Sequence, residues 1–213
     1  MMLQRRKLLV ATACVPVLGA TGVAFANRAA KGDPFVYIVD LSNQVLDRIR
    51  KNAALHSAEP ERVEKLVDQY MMPASDFTLM TRLVVGPHWR KATQEQRRAL
   101  QKHFRALLVR IYSGSLTTIK DHRCVLRPTR NKKIQDEMIV RTLLKSNGNP
   151  DIALDYRIYR NKEGFWKVVD VNVEGIWMVE NYRSQFSSIL NQQGVDGLIQ
   201  AMKEKTEATK RNL

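Results

Sequence analysis

The sequence predicts an α+β fold, with helices at both ends of the chain and one antiparallel sheet between them. Apolar residues recur at helical spacing from Ile38 to Leu116 and again from Tyr182 to Met202, but alternate with period two between Cys124 and Val173. The turn sequences Asn147-Gly148-Asn149-Pro150 and Asn161-Lys162-Glu163-Gly164 are short enough to make successive strands antiparallel neighbours. Hydrophobic residues make up 44% and charged residues 26% of 213 residues, the balance of a globular chain rather than a disordered or fibrous one.

The first residues stand apart from this domain. Arg5, Arg6 and Lys7 precede an apolar run from Leu8 to Val23 that ends in Ala24-Phe25-Ala26. A basic head, a short apolar core and a small-x-small end predict a secretory signal over 1–26, removed after Ala26. An uncleaved anchor, twin-arginine export through Arg5-Arg6 and a lipoprotein reading of Cys14 are the alternatives. Residues 27–205 then form one domain and 206–213 a flexible polar tail.

Asp33-Pro34 starts the first helix, with Ile38, Leu41, Val45 and Ile49 on one face and Val39 and Leu46 beside it. A second follows Ser57 and Pro60, carries Val63, Leu66, Val67, Tyr70 and Met71, and should end at Pro73. A third begins at Ser75 or Asp76 and is broken by Gly86-Pro87. Thr93-Gln94-Glu95-Gln96 fits a capping box for the strongest helix, whose stripe runs from Leu100 to Leu116. If it extends from Thr93 to Thr118 it is about 40 Å long. Four strands follow: Cys124–Leu126, Glu137–Lys145, one alternating from Ile152 to Tyr159, and Phe165–Val173 with Val169, Val171 and Val173 on one face. A closing helix with Tyr182, Phe186, Ile189 and Leu190 breaks at Gly194, and a last helix carries Leu198, Ile199 and Met202.

Function classes can be excluded before any is favoured. Lys and Arg number 35 against 21 Asp and Glu, a net charge of +14. Loss of three basic and no acidic residues with the signal lowers this to +11. Export makes ATP-driven chemistry and a nucleic-acid role unsupported despite that charge. It also leaves Cys124 as the one cysteine, so no internal disulfide is possible. The histidines, His56, His88, His103 and His122, contain no i, i+4 pair, and His122 with Cys124 alone makes no metal site. Nucleophile-elbow, Walker and dinucleotide motifs are missing. Asp155 and Asp170 are the strand carboxylates that a general base would need, but both sit opposite the apolar face, where pairing with Arg or Lys is expected. Arg127, Arg130, Lys132 and Lys133 cluster at the first strand turn, as a solvated hairpin or as a docking patch for anionic headgroups or an acidic partner.

Three segments together carry a resemblance. Phe77-Thr78-Leu79-Met80 leads to Gly86-Pro87-His88-Trp89-Arg90-Lys91-Ala92-Thr93; Trp166-Lys167-Val168-Val169-Asp170-Val171 is followed by Glu174-Gly175; and Asn181-Tyr182-Arg183-Ser184-Gln185-Phe186 precedes Gly194-Val195-Asp196-Gly197-Leu198-Ile199. In that order they resemble the MlaC, or toluene-tolerance auxiliary, family of periplasmic phospholipid carriers of Gram-negative bacteria. The chain departs from the family pattern at Ile176-Trp177-Met178, where a small polar residue is usual.

The resemblance implies a nuclear-transport-factor-like cone extended by N-terminal helices. It implies a cavity for acyl chains, no reaction of its own, no metal and no cofactor, with phospholipid as cargo. The implied partners are an outer-membrane lipoprotein–porin complex and an inner-membrane ABC transporter with its substrate-binding ring. The inward stripes nominate Leu79, Leu83, Phe104, Leu107, Leu108, Ile111, Tyr112, Tyr156, Ile158, Val169, Val171, Tyr182 and Phe186 as cavity walls. The alternatives are a cone-fold isomerase or hydrolase using Asp155 or Asp170, and a carrier of a hopanoid or isoprenoid lipid.

Overall fold

The computed structural model describes residues 30–51, 60–128 and 133–211. The expected signal, Cys14, His56, Ser57, Arg130 and Lys132 lie outside them. Helix α1, Pro34–Lys51, begins where the Asp33 carboxylate accepts the Phe35 N–H at 2.7 Å, with Pro34 at its first position. Helix α2, Pro60–Leu66, begins a helical path that ends at Ala74, one residue past Pro73, but it is not regular throughout. It widens into a π-helical turn, Val67–Met71, and a last helical turn, Met72–Ala74, carries the proline. The proline ring would strike the carbonyl four residues back, and the wider turn, closed by Met72 N–H to Val67 C=O, makes room for it.

Helix α3, Phe77–Val85, is capped by the Asp76 carboxylate, which accepts the Leu79 N–H at 2.9 Å, and ends at Gly86 with φ +62°. The short α4, His88–Lys91, buries Trp89. The capping box before α5, Gln94–Tyr112, forms in full. The α-helical part is about 28 Å rather than 40 Å, because Ser113–Thr118 tightens into a 3₁₀ segment.

The sheet has five strands, not four, in the order β1-β2-β3-β4-β5 with every neighbour antiparallel. They are β1 Arg123–Leu126, β2 Glu137–Lys145, β3 Ile152–Arg160, β4 Trp166–Val173 and β5 Ile176–Trp177. The fifth follows a tight turn in which Glu174 and Gly175 both take positive φ, at +50° and +90°. At the other edge, Asn43 of α1 acts as a substitute strand. Its amide oxygen accepts the Cys124 N–H at 2.9 Å and its amide nitrogen donates to the Cys124 carbonyl at 3.0 Å. Helix α6 runs from Met178 to Arg211 with a kink at Gly194, φ +68°, so the region expected as a tail is helical to Arg211. Its Lys-, Glu- and Ala-rich end has helix-forming residues.

One register feature corrects the sequence reading. Ile158 pairs with Val168 and Arg157 with Asp170, so Val169 is the extra residue of a β-bulge. A bulge flips the alternation. Val168 and Val171 therefore pack on the same inner cluster, and Val169, although buried, is not a partner of Val171 on one regular face.

Candidate functional site

Buried apolar residues of a single domain usually form one continuous core. Here the described ones fall into separate clusters. The largest joins α3, α4, α5 and α6 and centres on Phe104, whose ring stacks on Phe77 at 5.6 Å and meets Tyr182 and Phe186 edge-on at 5.2 and 6.1 Å. The second joins α1 to the inner face of the sheet through Phe35, Ile38, Val140, Ile158, Trp166 and Val168. Smaller clusters join α1 to α2 and α5, and α1 to β1 and β2. Helix α5 packs mainly on α6, α3 and α2, while α3 and α6 carry the helical layer onto β4.

The inner face is consequently covered unevenly. Val140 and Ile158 are fully buried beneath α1. Ile152, Leu154, Tyr156 and Val171 share that face by register yet remain half-buried. These inward, partly exposed side chains, packed against the two sheet clusters, outline the candidate site. One polar knot interrupts it. Ser42 donates its single hydroxyl proton to the Ile38 carbonyl at 2.7 Å, so Tyr156 is the donor in the 2.9 Å bond between the two hydroxyls. Cys124 and Thr142 lie beside them, both buried on the same face. Burial pushes the Tyr156 phenol and the Cys124 thiol above their ordinary ranges, so both stay neutral. Cys124 is 1% exposed. His122 precedes β1 and is buried, accepting the Lys120 N–H through Nδ1 at 3.3 Å. No group of three metal-ligating side chains occurs among the described residues.

The nominated wall residues do not come together as one set. Phe104, Leu107, Tyr182 and Phe186 are buried in the helical cluster, with Leu108 half-buried against it. Tyr156, Ile158 and Val171 belong to the sheet cluster, Val169 sits in the bulge, and Leu79 is half-buried on α3. Leu83, Ile111 and Tyr112 are exposed at 36%, 37% and 39%. Tyr112 is the hydrogen-bonding neighbour of Tyr182, whose phenol is raised first by burial and then by that contact. Leu83 lines a groove of about 540 Å³ with Arg157, Asp170, Trp177 and Arg183. Trp177 lies across from Asn172 with the Arg157 guanidinium 4.8 Å over its ring, so this departure from the family pattern shapes the outer side of the sheet. Helical spacing identified inward stripes but carried no signal for which neighbour each one meets. The polar knot was missed because Ser42 and Tyr156 are 114 residues apart.

The two strand carboxylates differ. Asp155 pairs with Arg127 at 3.6 Å, as expected. Asp170 lies on the outer face opposite Arg157, as expected, but is buried there, and one of its oxygens accepts the N–H groups of Val171 at 2.9 Å and Val179 at 3.0 Å, tying β4 to the start of α6. Burial raises its pKa, opposed by those two bonds and by Arg157. A carboxyl raised in the folded state binds its proton more tightly there. Its contribution to stability is therefore greatest below the unfolded value and falls as pH rises through the folded value. Asp170→Asn keeps an oxygen for both N–H groups and should flatten this acid-side decline in urea midpoints. Asp170→Ala strands both groups and should cost about 3 kcal/mol.

No helix among the described residues is long and apolar enough to cross a membrane. The family model described as "MlaC protein" matches residues 39–204. The chain is 25% identical over 179 residues to the Haemophilus influenzae intermembrane phospholipid transport system binding protein MlaC, covering 82% of this chain and 83% of that protein. It is 24% identical over 195 residues to the Pseudomonas putida toluene tolerance protein ttg2D, covering 90% and 85%. Among solved structures, the phospholipid-binding protein of Ralstonia solanacearum, determined in complex with a phospholipid, superposes with a TM-score of 0.78 at 31% identity, over 84% of this chain and 99% of that one. The model match alone spans well over half of the sequence, and the chain belongs to the MlaC family.

Proposed function

We propose that this chain is a periplasmic phospholipid carrier with no chemistry of its own. In this reading the domain forms a cone like that of nuclear transport factors, and the cargo's acyl chains lie between the sheet and the helical layer. The observation that carries it is the uneven cover of the inner face: Ile152, Leu154, Tyr156 and Val171 point inward and stay accessible, beside a separate helical core. The Ralstonia relative, solved with a phospholipid, supports the same use of the space. Of the nominated walls, Tyr156, Val171 and Leu108 suit an inner lining best, with Tyr112 and Tyr182 at the helical side, while Ile158 is packed beneath α1.

Burial is worth about 0.8 kcal/mol per methylene, so two long chains gain on the order of 20 kcal/mol as an upper bound. Escape into free water is then negligible, and release must be coupled to an acceptor. The inner-membrane ABC transporter with its substrate-binding ring and the outer-membrane lipoprotein–porin complex take that role in this reading. Native mass spectrometry of the purified protein should find co-purified phospholipid, and its absence overturns the proposal. The same spectrum separates phospholipid from a hopanoid or isoprenoid. The enzyme alternative predicts that Asp170→Asn abolishes function; the carrier reading predicts unchanged lipid loading.

A further inference from the structure

We infer that the cargo's acyl chains enter and leave over one corner of the sheet, across an apolar sill made by Leu154, Val173 and Ile176; this rests on the carrier reading above. The register places these side chains in one row. Thr142 of β2 lies opposite Leu154 of β3, Leu154 opposite Val173 of β4, and Val173 opposite Ile176 of β5. Directly paired residues share a face, so the whole row lies on the inner face. Its cover thins steadily along the way: Thr142 is 0% exposed, Leu154 is half-buried, Val173 is 39% exposed and Ile176 is 61% exposed. The change from closed to open takes three strand spacings, about 14 Å.

Each of the other borders of the inner face has cover among the described residues. At the β1 margin, Leu46 of α1 packs on Cys124 and Leu144. At the start of β4, the Trp166 backbone N–H donates to the Ala30 carbonyl at 2.8 Å and its indole N–H to the Gly32 carbonyl at 3.0 Å. Along β4, Ser75 bridges Val168, and the Asp76 N–H donates to the Val168 carbonyl at 2.9 Å. The open corner itself is held firmly. Glu174 donates its N–H to the Ala153 carbonyl at 3.0 Å and accepts the Ala153 N–H on its carboxylate, while the Gly175 N–H reaches the Asn172 side-chain oxygen at 2.9 Å. Val173 and Ile176 flank this pinned turn, so their exposure belongs to the fold and not to a loose loop. Single exposed aliphatic side chains are common on protein surfaces, but these two are paired and continue an apolar lining. An acyl chain has the chemistry that fits them. It is apolar along its length, needs no hydrogen bond, and keeps touching hydrocarbon as it slides from Leu154 to Ile176. Less of it meets water at any moment than in a direct jump into solvent.

The test follows a fluorescent phosphatidylethanolamine between the purified protein and phosphatidylcholine vesicles, and reads the loading rate, the unloading rate and the final occupancy. A residue on the passage alone changes both rates by one factor and leaves occupancy unchanged, whereas a residue of the resting site changes occupancy. Ile176→Asp should slow loading and unloading alike by about tenfold, because the chain must pass a hydrated carboxylate. Ile176→Thr, which keeps the branched shape of a strand residue, should slow both by about threefold. Ile139→Asp, at a 37% exposed position on the outer face opposite Arg157, should leave both rates as in the wild type. Unchanged rates in Ile176→Asp, with the circular dichroism of the wild type, overturn this inference and leave the carrier reading intact. A fall in occupancy also overturns it, because the corner is then part of the resting site. If the vesicle rates hold and only delivery to a membrane-protein acceptor slows, the corner is a protein contact and the passage assignment falls. A wild type that takes up no lipid removes both readings.

Discussion

Replacing Phe104 with alanine should destabilise the protein by about 3–5 kcal/mol, the largest loss expected from any single truncation here. Phe104 is 1% exposed and touches three other aromatic rings drawn from α3 and α6. Removing it empties the point where α3, α5 and α6 meet, and the flanking rings cannot all collapse into the void. Each aromatic pair adds about 0.5–1.5 kcal/mol beyond area burial, so the loss should fall in the upper half of that range. A domain of this size shifts its melting temperature by roughly 2–4 °C per kcal/mol, which gives a drop of about 10 °C or more. Urea titration checks the free energy directly. The exposed Val36, changed to alanine, should move the midpoint within about 0.5 kcal/mol. A Phe104→Ala loss below about 1.5 kcal/mol would show that the helical layer is loosely packed around this ring.

The second large effect is on cargo. Val171→Asp places a carboxylate on the inner face, opposite Tyr156, where acyl chains are proposed to lie. Burying an unpaired carboxylate against hydrocarbon costs several kcal/mol, so lipid occupancy should fall at least tenfold. The half-buried position leaves the side chain a route to water in the empty protein, so circular dichroism should remain that of the wild type. Native mass spectrometry reads occupancy and circular dichroism reads the fold. Full occupancy in a folded variant would show that the chains lie elsewhere. Val169→Asp is a poorer probe, because the bulge removes Val169 from the regular alternation.

Much of the architecture was readable because local chemistry decided it. Asp33-Pro34, Asp76 and the Thr93/Gln96 box each mark a helix start with a side chain that satisfies free N–H groups, and each forms as expected. Strand positions followed from alternation. The misses are all places where tertiary context overrides a local rule. Pro73 ends a regular helix, but a π turn absorbs it. The bulge at Val169 carries no glycine or proline to announce it. β5 is two residues long, too short to alternate. The candidate site was legible only as apolar surplus, since a filled core and a gap between two layers demand the same stripes. Leu83 has the right spacing and meets the outer groove, and only packing distinguishes that from an inner wall.

Asn43 has a consequence for how this molecule meets others. By occupying the Cys124 N–H and C=O, its amide removes from one margin of the sheet the pair of groups that an incoming peptide would grasp. At the opposite margin, the two-residue β5 covers Asn172 and Val173 of β4 and passes straight into a helix, while Ser75 bridges Val168. Both borders are thus partly occupied among the described residues, which reduces the backbone that a foreign strand could pair with. In the proposed carrier, contacts with a partner would then fall more on side chains than on strand pairing.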